Sequence, residues 1–307
     1  MRQLRELNLE DVVFIDTETV RAQKVLTPNT PTFEAWEYKF KRLVDSGEVA
    51  GLEEHYIERG ALYPEFAKLV CISIGRYRDG ELVVVSYKDN DEKRLLERFV
   101  GDLDKVLKKR PKTALCGHSV KGFDIPFIFR RCLANGVIPN KLIDVGGVKP
   151  WELTALDTKE LWKGCGYYSA SLIGVCLALN IPSPKGDISG GDVGRVYYSE
   201  GEKGLERIAD YCERDVLAVV NIVLRCRLED IVTTYKSVKP KEPVKLGLLE
   251  VIAQKGRIGK EEEEELLSRA KGESIEGKEK LLRLLKASLM LSKGTLGQDL
   301  ELKILSA

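Results

Sequence analysis

The sequence predicts an α/β protein in which helices flank a mixed sheet, followed by a helical C-terminal extension. Three observations carry this. Short apolar runs of strand length come early and are joined by a hairpin signal. Later short runs alternate with helical patterns, and beyond residue 236 only helical periodicity remains. A chain of 307 residues, 43% hydrophobic and 32% charged, can bury one substantial core plus a small appendage, or at most two modest domains.

The run Asp11-Val12-Val13-Phe14-Ile15 turns polar at Asp16, as a central strand does at its end. Residues 20–60 read as an irregular insertion over one face of the sheet, with Pro28, Pro31 and one helix at about 33–45. Segments 69–75 and 81–87 are strands joined through Tyr77-Arg78-Asp79-Gly80, whose Asp-Gly is a hairpin signal. Leucines at helical spacing among charges predict a helix over 91–108, and 113–117 is a short strand. A helix follows from 124 to about 134, with Pro126 tolerated in its first turn. Residues 152–157 read as a strand, after which Asp157 and Glu160 form a D-x-x-E cap that opens a helix through Leu161 and Trp162. Another helix covers about 170–179 and stops at Asn180-Ile181-Pro182. The Gly/Asp-rich stretch 186–194 is a loop, and a long helix runs from about 205 to about 234.

Composition shifts at Lys236-Ser237-Val238-Lys239-Pro240, which divides a domain at 1–236 from an extension at 237–307. The extension carries amphipathic patterns near 244–254, 260–271 and 278–291, and its acidic run 261–265 reads as a solvated helix N-terminus.

The net charge of +1 supplies no global basic field, so any nucleic-acid site must be a local patch. Seven scattered cysteines with no C-x-x-C read as reduced thiols. The polar N-terminus and the lack of an apolar run of spanning length lead us to expect a cytoplasmic protein with no membrane association. Only two histidines are present, His55 and His118. That disfavours histidine-based zinc sites and Ser-His or Cys-His nucleophiles, and leaves oxygen ligands, hence Mg²⁺ or Mn²⁺, for any metal chemistry.

Three pieces could carry such chemistry. Asp16 and Glu18 lie two apart in Phe14-Ile15-Asp16-Thr17-Glu18-Thr19, so in a strand both carboxylates share a face. Two solvent-facing acids at a strand end are the plainer reading. Asp124 follows Gly117-His118-Ser119-Val120-Lys121-Gly122-Phe123 and precedes Ile125-Pro126, where an ordinary helix cap would also suit it. Tyr211 and Asp215 are four apart among apolar neighbours and share one helical face. An acid there needs a partner, either a metal or a basic side chain.

In order and context, D-x-E, then G-H-x-x-x-x-F-D-x-P, then Y-x-x-x-D resemble the three motifs of the DEDD (DnaQ-like) 3′–5′ exonuclease superfamily. The tyrosine matches its DEDDy branch. Ala61-Leu62-Tyr63-Pro64-Glu65-Phe66, Pro150-Trp151-Glu152, the stretch from Asp157 to Trp162, and Ile181-Pro182-Ser183-Pro184-Lys185-Gly186-Asp187 look like a bacterial group of stand-alone exonucleases. That group is related to the proofreading domain of family B DNA polymerases. The similarity covers roughly residues 10–235 and departs at Ser119, where many relatives carry asparagine.

The resemblance implies an RNase H-like fold with a five-stranded mixed sheet. It implies two Mg²⁺ or Mn²⁺ ions about 3.5–4 Å apart, clamping the scissile phosphate. Asp16, Glu18 and Asp215 would hold one ion, Asp16 would bridge to the second, Asp124 would support that one, and Tyr211 would orient the attacking water. Thr17, Thr19, Phe123, His118 and Lys121 are the candidate substrate contacts, with Lys185 a further phosphate contact; structural roles for His118 and purely solvated side chains for the two lysines are the alternatives. Asp157 reads as a helix cap, and Trp36, Trp151 and Trp162 as packing. The expected substrate is a single-stranded DNA 3′ end. An exoribonuclease using the same site, an inactive nucleic-acid-binding module and a D-x-D-x-T-type phosphatase are the rivals. The seventy or so residues after 236 are too few for a polymerase domain, so proofreading or repair would need a partner.

Overall fold

The computed structural model describes residues 2–149, 151–240, 252, 257–271, 275–291 and 296–306. It forms two compact units, Met1–Pro240 and Lys241–Ala307.

The first unit is built on β1 (Val12–Arg21), which pairs antiparallel with β2 (Ala67–Arg78) and parallel with β4 (Ala114–Gly117). β3 (Glu81–Lys88), β5 (Leu156–Asp157) and β6 (Lys236–Ser237) complete a six-stranded mixed sheet in the order β5-β4-β1-β2-β3-β6. Five strands are expected from sequence. The sixth is two residues long, too short for any periodicity to register, and is held by parallel pairing with β3 and by the Ser237 hydroxyl donating to Glu213 at 3.1 Å.

Strand alternation decides which side each β1 residue faces. Val13 and Ile15 bury against α4 (Glu92–Lys109) and α5 (Asp124–Ala134), with Leu95, Phe99, Leu103, Ile125 and Ile128. Val12 and Phe14 bury on the opposite face against Val216, Val219, Val220 and Val223 of α8 (Val193–Cys226). A strand apolar on both faces is central, as its near-continuous hydrophobic run implies.

β1 does not end at Asp16, contrary to expectation. It continues through Arg21 because β2 pairs with it from Phe14↔Gly75 to Arg21↔Ala67. Its other neighbour stops early, since β4 pairs only with residues 12–14. The two acids therefore sit in mid-strand, just past the point where β4 ends. One extra residue, Val70, is accommodated in β2 between the Glu18↔Cys71 and Thr19↔Leu69 pairs, a bulge that bends the sheet beside them.

The long helix starts earlier than its periodicity suggests, at Val193, and is broken at Gly201, whose φ of 57° lies in the left-handed region that glycine tolerates. It packs tightly on β2 at Gly75, where a Cβ would stand 2.8 Å from Val216 Cγ1. The strand expected over 152–157 shrinks to the two residues of β5, which alone pair with β4. The insertion forms two helices, α2 (Pro31–Asp45) and α3 (Leu52–Arg59), around Trp36, Phe40, Tyr56 and Phe66. Trp36 is thus core, as expected. Trp151 and Trp162 are not, being 78% and 37% exposed. Trp151 lies in a turn, and Trp162 lies near the end of a short helix, α6 (Thr158–Lys163), on its exposed side. α1 (Arg2–Glu6), α6 (Thr158–Lys163) and α7 (Leu172–Ala178) complete the named elements of this unit.

In the second unit, helices at Lys260–Ala270, Ile275–Leu291 and Gln298–Ser306 pack around Ile252, Leu266, Leu285, Leu289 and Ile304. The last of these helices is not anticipated by the sequence patterns. The pattern near 244–254 lies outside the described residues apart from Ile252. Within the acidic run, Glu262 is buried and accepts the Gly259 N–H at 2.9 Å, capping the first of these helices. Among the described residues no helix is long and apolar enough to cross a membrane.

Candidate active site

The parity that buries Val12 and Phe14 against α8 also turns Asp16 and Glu18 toward that helix, and Thr17 toward α5. On α8, positions 208, 212, 215–216, 219 and 223 form the buried stripe, so Cys212 and Asp215 lie on the face that meets β1. Asp124 arrives from the opposite layer as the first residue of α5, and the Thr17 hydroxyl donates to its Oδ1 at 2.7 Å. Phe123, not Asp124, occupies the cap position of that helix.

Glu18, Asp124 and Asp215 are buried and Asp16 is half-buried. Among the described residues none of the four carboxylates forms an ion pair. Arg214, the basic side chain nearest in sequence to Asp215, instead donates to the Pro184 carbonyl at 3.1 Å and approaches Asp187. The basic partner open to Asp215 on sequence grounds thus acts on it only through its charge, without a direct ion pair.

Electrostatics follow from this crowding. Burial, then the charges of Asp215 and Asp124, push Asp16 well above the usual carboxylate range. Burial followed by Asp16 and Asp215 does the same to Glu18. Burial raises Asp124 to about 6 against the pull of its Thr17 hydrogen bond. Asp215 is also raised to about 6 by burial, with a hydrogen bond from Tyr211 and the charge of Arg214 opposing. Burial and the nearby carboxylates push the Tyr211 phenol far up, so it stays protonated.

Cys212 escapes sequence reasoning, which registers it only as one of seven thiols. Its Sγ lies 3.3 Å from both the main-chain oxygen and Oδ2 of Asp16. Burial raises its pKa, so it stays a thiol and donates, fixing the Asp16 carboxylate. The helical spacing from Ile208 and to Val216 and Val219 is the signal that places it on the inward stripe. One donor atom each from Asp16, Glu18 and Cys212 lies within 4.8 Å of the others.

The suggested substrate contacts divide. Thr17 is committed to Asp124, and the Thr19 hydroxyl donates to the Ala61 carbonyl at 2.8 Å, tying β1 to the insertion. Phe123 is half-buried, with its ring centroid 5.2 Å from that of Phe127. Both ring nitrogens of His118 are engaged, with Thr158 Oγ1 at 3.0 Å and the Ala170 carbonyl at 3.2 Å. Lys121 donates to Glu160 at 2.8 Å, and Lys185 is exposed.

Asp157 caps α6 by accepting from Lys159 N–H at 2.9 Å and also takes the N–H groups of Ser119 and Lys121, so it holds the loop that delivers Asp124. Ser119 in that loop has φ 68°, a left-handed conformation that asparagine tolerates better than serine.

A set of crowded, buried or half-buried carboxylates with no ion pair among the described residues fits hard divalent ions, which take oxygen donors. It also predicts a pH response. Asp124 and Asp215, at about 6 against 3.8 when unfolded, bind protons more tightly in the folded state. Their contribution is complete below about pH 4 and is lost as pH rises through about 6. The melting temperature of the metal-free protein should fall across that window, and Mg²⁺ added near pH 7 should restore it. Differential scanning calorimetry in chelator measures this, and a midpoint that rises between pH 4 and 6 would contradict it.

Residues 62–248 match the sequence model of a family described as predicted 3′–5′ exonucleases related to the exonuclease domain of PolB. The matched span contains Asp124, Tyr211 and Asp215, while Asp16 and Glu18 precede it. No curated protein matches the chain.

Proposed function

The chain belongs to this family of predicted 3′–5′ exonucleases, and from that premise we propose that it removes nucleoside 5′-monophosphates from the 3′ end of single-stranded DNA by metal-dependent hydrolysis. The observation that carries the reading is a set of four acids, Asp16, Glu18, Asp124 and Asp215, buried or half-buried, with no ion pair among the described residues and with the charges of Asp124 and Asp215 bearing on Asp16 and Glu18, beside a protonated tyrosine hydroxyl.

A purely structural core does not gather four acids at the cost of their mutual repulsion. Asp16, Glu18 and Asp215 would hold one divalent ion, and Asp16 and Asp124 a second. Such ions, when bound, neutralise charge on the phosphate and lower the pKa of a coordinated water. In the reaction a water oxygen bonds to the terminal phosphorus as the P–O3′ bond breaks. The 3′ oxygen of the penultimate nucleotide leaves and takes up a proton.

The chain's own residues do the positioning. Thr17 holds the Asp124 carboxylate from below the strand, and Cys212 holds Asp16 from the helix. Tyr211 cannot act as a base, because burial and its acidic neighbours keep the phenol protonated. It can donate to, and orient, the attacking water.

Tyr211→Phe therefore keeps the ring and the carboxylates but loses one hydrogen bond in the transition state. That interaction is worth roughly 1–3 kcal/mol, so kcat should fall about ten- to a few hundred-fold with KM nearly unchanged. Steady-state kinetics on a labelled strand measure it, and a wild-type kcat would reduce Tyr211 to packing.

The reading itself is tested on gels with 3′- and 5′-labelled DNA and RNA oligonucleotides. Release of labelled mononucleotide from the 3′ label, with a descending ladder from the 5′ label, supports it. Faster degradation of RNA would reassign the substrate, since that choice depends on how the pocket treats the 2′-hydroxyl. Binding without cleavage would identify an inactive module.

A further inference from the structure

The end of α6 and most of the segment joining it to α7 are turned to solvent. Every residue from Trp162 to Ser169 is exposed, and three of these eight are aromatic: Trp162 at 37%, Tyr168 at 78% and Tyr167 at 100%. Large rings ordinarily contribute their area, about 150–250 Å² each, to a core or an interface. Leaving three in one short stretch needs an occupant.

Two observations say which. The first is continuity with the candidate site. Glu160, just before the segment, accepts from Lys121 at 2.8 Å, and the Ala170 carbonyl at its end meets His118 Nε2 at 3.2 Å. Lys121 and His118 both belong to the loop that leads into Asp124, so the segment is anchored at both ends beside that carboxylate's approach. The second is charge. Glu160 is paired with Lys121, no acidic residue occurs from 161 to 171, and Lys159 and Lys163 add positive charge at its start. A polyanion with flat apolar faces matches this combination. Aromatic rings in a cationic setting are how single-stranded nucleic acid is held without regard to sequence, because every base has a face to stack.

Resting on the exonuclease reading, we propose that Trp162, Tyr167 and Tyr168 form a stacking platform for unpaired bases of the substrate strand beyond the nucleotide being removed. Its role is to hold the strand between successive cleavages.

The test uses the full-length protein and a fluorescein-labelled twelve-nucleotide oligothymidylate, with binding followed by anisotropy in chelator. Tyr167→Ala/Tyr168→Ala should raise Kd about tenfold for each ring lost, and Trp162→Ala should add to this. Tyr167→Phe/Tyr168→Phe should keep wild-type affinity, because a stacked ring needs no hydroxyl. Melting temperatures should stay level, since both tyrosine rings are largely solvent-exposed, and Tyr167→Ala alone serves if the double variant is unstable.

A second readout separates this proposal from the one it rests on. Thymidine 5′-(p-nitrophenyl phosphate) occupies only the cleavage site, so the alanine variants should hydrolyse it at the wild-type rate. If wild-type protein cleaves neither substrate, the exonuclease reading fails while anisotropy still reports on the platform. Unchanged strand affinity in the alanine variants overturns the platform. Unchanged strand affinity together with loss of self-association in sedimentation would assign the rings to a protein interface, which also overturns it.

Discussion

Asp16→Ala is expected to reduce hydrolysis at least about a thousandfold while leaving the metal-free protein as stable as before, or more stable. The catalytic loss follows from its place in the cluster. The charges of Asp124 and Asp215 bear on Asp16 and that of Asp16 on Glu18, and Asp16 would touch both ions. Losing several kcal/mol of transition-state charge stabilisation corresponds to three or more powers of ten in rate. The stability effect runs the other way, because Glu18 carries a cost from the Asp16 charge that the substitution removes. The Cys212 thiol is not orphaned, since it also lies 3.3 Å from the Asp16 main-chain oxygen. Asp215→Ala should behave alike, with Tyr211 losing its carboxylate partner. Rates on a labelled strand, with thermal melts in chelator, check both halves. A variant that melts well below wild type would place that acid in the structural framework.

Chelation should abolish activity completely, and Mg²⁺ or Mn²⁺ should restore it. None of the four carboxylates forms an ion pair among the described residues, and Arg214, whose charge reaches Asp215, is one cation against four acids, so an ion would complete the site electrostatically. The same binding should appear as stability. An ion present at about a hundred times its Kd, and bound only by the folded state, adds about 2.7 kcal/mol. The melting temperature near neutral pH should therefore rise with Mg²⁺ in wild type and much less in Asp16→Ala. Full turnover in EDTA would reject metal-dependent hydrolysis outright, whatever happened to the melting curve.

Local periodicity made much of this legible. That Asp16 and Glu18 share a face follows from two-residue alternation, and that Tyr211 and Asp215 share one follows from helical spacing. The alternating burial of Val12, Val13, Phe14 and Ile15, one pair to each layer, follows from an apolar run in a central strand. The RNase H-like fold and the metal chemistry come instead from the resemblance of the three motifs, in their order and contexts, to those of the DEDD superfamily.

What tertiary structure alone decided depends on pairing between elements far apart in the chain. β1 runs on past Asp16 because β2 accompanies it, and the acids sit where the shorter β4 stops; no residue near 16 encodes the length of its neighbours. Thr17 and Asp124 meet across 107 residues, and Cys212 reaches Asp16 across 196. β6 exists only because Ser237 finds Glu213 and the edge of β3. Trp36 and Trp162 are the same residue type and both lie in helices, yet one is core and the other is exposed. A side chain's periodicity reports which face of its own element it occupies. Whether anything covers that face is set by where other elements pack, and that is a property of the whole chain's contacts.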